Sequence, residues 1–309
     1  MQRIKRHNSL YFIFVLLLVI LSACAGVVTQ GAATPQAGPP SSEALVSAAW
    51  LKEHLSDPGI VVLDVSSTEE VYRQGHIPGA LFVDWTKDLT DPGNAVKGQI
   101  LTKAQAERLF SRLGINPDDT IILYGDRDNL FAARAFWVFT YYGHRQVRLL
   151  NGGRTAWVQS GSPLSTTIPD VRPSRYTIRQ TRTNLRADVE TVQALFDGRG
   201  IVLDVRSPKE YAGVDVRARR GGHIPGAINI NWVATVNADG TFKPVSRLLS
   251  LYRAAGVRPD RPVITYCQTG VRAAHTWFVL TYLLNYPHVK VYDGSWEEWG
   301  NAPGLAIER

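Results

Sequence analysis

Thiols are scarce in this 309-residue chain: cysteine occurs only at Cys24 and Cys267. That scarcity excludes the disulfide framework on which many small exported domains depend. It also excludes a zinc site at Cys267, which has a single histidine near it in sequence, His275, and would need more ligands. No metal and no organic cofactor is expected. Dense runs of one charge are missing as well. The formal net charge is +7, and Arg172, Arg175, Arg179, Arg182 and Arg186 are spread out and not interleaved with aromatics. This argues against nucleic acid as a partner and suits attraction of small anions better. A full-length membrane span is lacking too: Leu10 to Leu21 is almost continuously apolar but too short to cross a bilayer comfortably. The rest of the composition, 45% hydrophobic and 20% charged, is that of an ordinary soluble globular chain.

The short apolar run has a different use. Arg3, Lys5 and Arg6 precede it and Leu21-Ser22-Ala23-Cys24 ends it, the order of a secretory signal. The ending resembles a bacterial lipoprotein processing site. That likeness implies a signal peptide over 1–23, cleavage before Cys24, acylation of Cys24, and export to the extracytoplasmic face of a bacterial membrane. Residues 24–44, rich in Ala, Gly, Pro, Thr and Ser, read as a flexible tether. With Cys24 lipidated, Cys267 is the only thiol of the mature chain, kept in a compartment that oxidises idle thiols.

Roughly 265 residues remain, enough for two domains, and an internal duplication divides them. Val62-Leu63-Asp64-Val65 recurs as Val202-Leu203-Asp204-Val205, and Gly75-His76-Ile77-Pro78-Gly79-Ala80 recurs unchanged from Gly222 to Ala227. Each copy continues into a short apolar strand and a tryptophan, Trp85 or Trp232. Further on, Ile122-Leu123-Tyr124-Gly125 aligns with Ile264-Thr265-Tyr266-Cys267, and Asn151-Gly152 with Asp293-Gly294. Short β-branched runs alternate with helical patterns such as Thr102 to Leu113, Phe131 to Tyr142 and Val271 to Leu284. That alternation predicts an α/β fold, a mostly parallel sheet with helices on both faces in each copy. The expected limits are 45–165 for the first domain, 166–185 for a proline-containing linker and 186–309 for the second domain.

Cys267 falls between the apolar run Val263–Tyr266 and the third helical pattern. A strand-to-helix turn aims backbone N–H groups and the positive end of a helix at whatever sits in it, which favours a thiolate. Gly270 permits a tight curl of Gln268, Thr269, Gly270, Val271 and Arg272 around the sulfur. The first copy carries Gly125-Asp126-Arg127-Asp128-Asn129-Leu130 at the same place: no nucleophile, and carboxylates that would repel an anion.

Taken together, L-D-V-R-x-x-x-E-Y, the repeated G-H-I-P-G-A and the C-x-x-G-x-R loop resemble the tandem-domain rhodanese family of sulfurtransferases, of the thiosulfate or 3-mercaptopyruvate type. The likeness runs from about Leu45 to Arg309. It implies two rhodanese-like domains, the second catalytic and the first without its cysteine. It also implies an enzyme that moves a sulfane sulfur from a small anionic donor to cyanide, a small thiol or a protein thiol through a persulfide on Cys267. Thiosulfate is the first expectation and 3-mercaptopyruvate the alternative. A membrane-tethered sulfur carrier without turnover is the rival from another class. A phosphatase loop would have five residues between cysteine and arginine; this one has four, a ring suited to a single sulfur atom.

The remaining roles follow from position. Arg206 is assigned to substrate binding, as its family counterpart implies. Asp204 is expected to order the strand end, and Glu210 to pair with Arg272 and fix the loop. His76 and His223 occur in both copies and read as fold elements. The second copy is longer between its aspartate and its histidine, and the added Arg217, Arg219 and Arg220 are expected to overhang the catalytic mouth and attract the donor.

Overall fold

The computed structural model describes residues 41–309, so Cys24, the signal segment and most of the tether lie outside the described residues. The first half contains β1 (Leu45–Val46), β2 (Ile60–Asp64), β3 (Leu81–Phe82), β4 (Thr120–Tyr124) and β5 (Val147–Leu150). The second contains β6 (Arg186–Ala187), β7 (Ile201–Asp204), β8 (Ile228–Asn229), β9 (Val263–Tyr266) and β10 (Val289–Tyr292). The sheet orders are β1-β5-β4-β2-β3 and β6-β10-β9-β7-β8, and every adjacent pair is parallel. The duplicated sequence has therefore produced the same sheet twice. In each, the chain moves to one edge after its second strand and then returns to the other side, and α/β folds form ligand sites at the carboxyl ends of strands beside such a reversal.

The helices of the first half are α1 (Ser41–Ala44), α2 (Ala48–His54), α3 (Glu69–Gln74), α4 (Lys103–Arg112), α5 (Leu130–Tyr141) and α6 (Gly153–Gln159). Those of the second half are α7 (Val189–Gln193), α8 (Pro208–Tyr211), α9 (Val245–Ala254), α10 (Val271–Phe278) and α11 (Ser295–Trp299), with a π-helical turn, Val279–Leu283, continuing α10. Local chemistry fixes their starts. Thr102 and Gln105 form a capping box on α4, and Ser207 and Glu210 form another on α8, where Pro208 opens the helix. Among the described residues, no helix is long and apolar enough to cross a membrane.

Buried side chains lie on both faces of each sheet. One cluster on an outer face joins Leu51, Ile122 and Trp157; its counterpart joins Val192, Ile264 and Trp299. The largest cluster is shared by the two halves and runs from Leu109 and Phe136 to Trp277 and Leu280. Its centre is α5 against α10, where the Phe136 ring meets Phe278 and Tyr282 edge-on with centroids 4.8 Å apart. Edge-to-face aromatic pairs add favourable electrostatics to the burial itself. Both helices start at the loops that follow β4 and β9, so this shared core anchors the two equivalent loops.

The segment between the halves is bound to the first domain along its length. Ser165 exchanges backbone hydrogen bonds with His76, the Ser174 amide donates to Ser111, and the Ile178 amide donates to Glu107. His76 and His223 play the same part twice. Each stacks on a tyrosine, Tyr72 or Tyr211, and each ring Nδ1 pairs with that tyrosine's carbonyl oxygen at 3.0 Å.

Candidate active site

Strand β9 is buried along its whole length and delivers Cys267 to the carboxyl end of the second sheet with 1% of its surface exposed. The chain then curls through Gln268 and Thr269 to Gly270 and enters α10. Gly270 has φ +80°, and a Cβ there would lie 3.0 Å from both the Arg134 Nη1 and the Asp293 Oδ1 atoms, so the curl requires glycine. The back of the loop is pinned by its carbonyls. The Trp296 amide donates to the Cys267 oxygen and the Glu297 amide to the Gln268 oxygen, both at 2.9 Å. The Cys267 amide donates to Ser295 Oγ at 3.1 Å, and that hydroxyl donates onward to the Tyr292 carbonyl at 2.7 Å.

The front of the loop is different. Among the described residues, the amides of Gln268, Thr269, Gly270, Val271 and Arg272 have no backbone or side-chain acceptor. Buried N–H groups are nearly always paired in proteins. A row of unpaired ones beside a sulfur is a cradle for negative charge.

Arg272 closes the ring. Its Nη1 and Nη2 atoms donate to the two Glu210 oxygens at 2.7 and 2.8 Å, and Glu210 is 2% exposed. Burial alone would raise the Glu210 carboxyl; Arg272, with the Ser207 amide and hydroxyl, brings it down to about 2. Burial likewise works against the Arg272 charge, and the facing Glu210 carboxylate and Cys267 sulfur more than offset it, raising the guanidinium above its ordinary value. Glu210 thus serves twice, as the third residue of a capping box and as the brace of the loop arginine.

Asp204 orders the end of β7. Its carboxylate accepts from the Arg206 amide at 2.9 Å and from the Tyr266 hydroxyl at 2.6 Å. Arg206 departs from its expected role. Its Nε and Nη2 atoms bind Asp204, Nη2 also donates to the Gly222 carbonyl, and the guanidinium lies 4.5 Å from the centre of the Trp296 ring. With 1% of the residue exposed, it is committed to internal packing, and the assignment to substrate binding is corrected to a structural one. The side chain folds back on Asp204 and Trp296, which position in sequence could not reveal.

The insertion also differs from its expected role. Arg220 donates to the carbonyls of Trp299, Gly300, Ala302 and Leu305 and so caps the end of α11; it does not attract a donor. Arg217 is exposed but paired with Asp215, and its carbonyl accepts from Gln268 Nε2 at 3.1 Å. The same Gln268 amide reaches Glu297 at 3.2 Å. Arg219 is exposed and lines a cleft of about 500 Å³ together with Glu297, Glu298, Asn301 and, from the first domain, Ala95 and Val96. Of the three arginines, only this one has its guanidinium outside the pairs just described, and none of the residues from Cys267 to Arg272 lines its cleft.

The first domain supplies more of the site than sequence reasoning found. A Cβ on Gly98 would lie 2.8 Å from the Thr269 Cβ, so the 91–100 loop rests on the active loop itself. Ile100 donates its amide to Asp293 at 2.8 Å, and Arg134 of α5 forms an ion pair with Asp293 at 2.7 Å. Ser295, Asp293, Arg134 and Gly98 were all missed. The one signal available was the alignment of Asn151 with Asp293, where the second copy alone carries a charge.

The equivalent loop of the first domain is filled from within. The Gly125 amide donates to Asn129 Oδ1 at 3.1 Å, and Asn129 Nδ2 reaches the Leu150 carbonyl at 2.6 Å. Asp126 accepts from the Ser67 amide at 2.7 Å and from the Ser67 hydroxyl. No thiol stands there, and the Gly125 amide is taken by Asn129 where the Cys267 amide is taken by Ser295.

Comparison with known proteins places this geometry. The rhodanese-like domain model matches residues 47–160 and again 188–302. The chain is 46% identical over 279 residues to the sulfur carrier protein TtuD of Thermus thermophilus, covering 86% of this chain and 97% of that protein. It is 43% identical over 277 residues to a thiosulfate sulfurtransferase of Corynebacterium glutamicum, covering 86% and 90%. Among solved structures, the anaerobic ergothioneine biosynthesis enzyme of Chlorobium limicola, in complex with trimethyl histidine, aligns with a TM-score of 0.78 at 26% identity, covering 87% of this chain and 70% of that one.

Proposed function

The chain belongs to the rhodanese family, in tandem-domain form, and from that premise we propose that it transfers the sulfane sulfur of thiosulfate through a persulfide on Cys267. The family supports sulfurtransferase activity in general; the observation that carries the finer reading is the set of unpaired amides around a single thiol. In the first half-reaction the Cys267 thiolate attacks the outer sulfur of the donor. The donor's S–S bond breaks, sulfite leaves with the electron pair, and Cys267 holds an anionic persulfide. In the second, an acceptor such as cyanide or a thiolate attacks the outer sulfur, becomes thiocyanate or a persulfide, and returns the thiolate. No external oxidant or reductant is needed. The exchange is ping-pong, and the amides of Gln268 to Arg272 stabilise the anion at both stages without moving a proton.

A second reading is supported by the Thermus thermophilus relative, which is named a sulfur carrier. Steady-state turnover separates the two. With thiosulfate and cyanide in excess, the enzyme reading expects many equivalents of thiocyanate per Cys267; one equivalent and a halt would favour the carrier. Faster turnover with 3-mercaptopyruvate than with thiosulfate would transfer the donor assignment to that compound.

We propose also that Cys24 is acylated and tethers the protein to the extracytoplasmic face of a membrane, on the strength of the Leu21-Ser22-Ala23-Cys24 sequence. Cys24→Ala is expected to move the protein from the membrane fraction to the soluble fraction. An unchanged distribution would contradict the anchor.

A further inference from the structure

A buried ion pair lies directly behind the active loop, and its two halves come from different domains. Asp293, at the end of β10, has no exposed surface; its Oδ1 meets Arg134 Nη1 at 2.7 Å and its Oδ2 accepts from the Ile100 amide at 2.8 Å. Arg186 stands 3.4 Å from the same Oδ2. Arg134, on α5 of the cysteine-less domain, is 1% exposed, donates to the Gly98 carbonyl at 3.0 Å and has its guanidinium 4.7 Å from the centre of the Trp137 ring. A Cβ on Gly270 would stand 3.0 Å from both charged atoms of the pair. Only the width of a glycine therefore separates the pair from the backbone that cradles the sulfur.

The duplication provides an internal control. One constant offset carries Gly125 to Cys267, Ile100 to Phe242, Asn151 to Asp293 and Arg134 to Thr276. The interdomain amide contact is present on both sides: Phe242 donates to Asn151 Oδ1 at 3.0 Å, as Ile100 does to Asp293. The charges are not. The positions equivalent to Asp293 and Arg134 hold the neutral residues Asn151 and Thr276. The neutral Asn151 satisfies the Phe242 amide, so the interdomain amide contact does not itself require a charge.

We infer that Arg134 is a positioning residue of the sulfur loop: it holds Asp293 against Gly270 and cancels a buried negative charge that would otherwise repel the anion in the cradle. Arg186, partly exposed and 3.4 Å from the other oxygen, offsets that charge only in part, and a buried carboxylate deprived of its buried partner acts strongly over a few ångströms. The pair fixes the curl of the loop while leaving the field of its amides positive. The domain that lost its thiol thus contributes to the chemistry of the domain that kept one. The proposal rests on the persulfide reading for its effect on sulfur transfer, but its electrostatic content can be read without any sulfur donor.

The test compares alkylation of Cys267 in the full chain by anionic iodoacetate and by neutral iodoacetamide. Their rate ratio reports the field at the sulfur and cancels differences in access. Arg134→Met is expected to lower the ratio about tenfold and to slow sulfur loading from thiosulfate roughly a hundredfold. Arg134→Lys should recover most of both. The double variant Arg134→Met with Asp293→Asn should restore the ratio, although it lacks both groups. Asp293→Asn alone, which needs no folding of an unpaired acid, should hold or raise the ratio. A purely structural role predicts the opposite for these last two, a fall as large as that of the single methionine variant, and that result would overturn the proposal. An unchanged ratio in folded Arg134→Met would do so equally. If wild type takes no sulfur from thiosulfate, the persulfide reading fails by itself and the alkylation ratios still decide the role of Arg134.

Discussion

Cys267→Ser is expected to abolish sulfur transfer, lowering thiocyanate formation by roughly a thousandfold or more, because the covalent intermediate has no other atom on which to form. Serine is close to cysteine in size and keeps the backbone contacts made through the Cys267 amide and carbonyl, to Ser295 and Trp296. The fold should therefore survive, with a thermal midpoint within a few degrees of wild type. Calorimetry and a cyanide assay on the same preparation check both halves of the statement. A folded serine variant that retained a tenth of the activity would place the nucleophile elsewhere.

Glu210→Gln is expected to lower both the stability of the fold and the rate of sulfur loading. It leaves the buried Arg272 guanidinium facing a neutral amide where two charge-assisted hydrogen bonds stood. Breaking such a pair from one side costs about 3 kcal/mol or more, which for a chain of this size lowers the thermal midpoint by on the order of 10 °C. Sulfur loading should fall roughly a hundredfold, since a displaced Arg272 opens the ring that holds the anion. The pH dependence follows from the same contact. Glu210 titrates at about 2 in the folded chain against an ordinary 4.5, so the unfolded chain takes up its proton first on acidification. The stabilisation is complete above pH 4.5 and is lost as pH falls from there through about 2. His275, buried and held down to about 4, adds its own loss between 6.5 and 4 in both proteins. The difference between wild-type and Glu210→Gln unfolding energies therefore isolates the carboxylate. It should be constant from pH 7 to 5 and narrow below 4.5; a constant difference down to pH 3 would mean that the pair does not hold the loop.

What could be read from sequence was whatever is encoded locally or repeated. The duplicated Val-Leu-Asp-Val and Gly-His-Ile-Pro-Gly-Ala segments carried the topology, since two copies of one pattern fold into two copies of one sheet. Cys267, Gly270 and Arg272 are legible because the turn that joins β9 to α10 is short and its chemistry is contained in adjacent residues. Arg206 was misread because sequence places a side chain at the end of a strand without saying which way it turns; here it folds back on Asp204 and Trp296. Arg220 was misread for the same reason: counted as free charge, it is a cap on the carbonyls that end α11. Arg134, Gly98 and Ile100 were invisible, since nothing in the first copy announces that it will pack against the second copy's loop. Contacts of this kind arise from the docking of α5 on α10, a tertiary event with no local signature. The substitution of Asn151 by Asp293 between copies was the single trace of it.

A persulfide on Cys267 would be seen by single-turnover mass spectrometry of the reduced, tether-less protein mixed with thiosulfate and, separately, with 3-mercaptopyruvate. A gain of one sulfur on the peptide containing Cys267 is expected with thiosulfate, fully discharged by cyanide. No gain from either donor on a thiol shown to be reduced would contradict the persulfide reading.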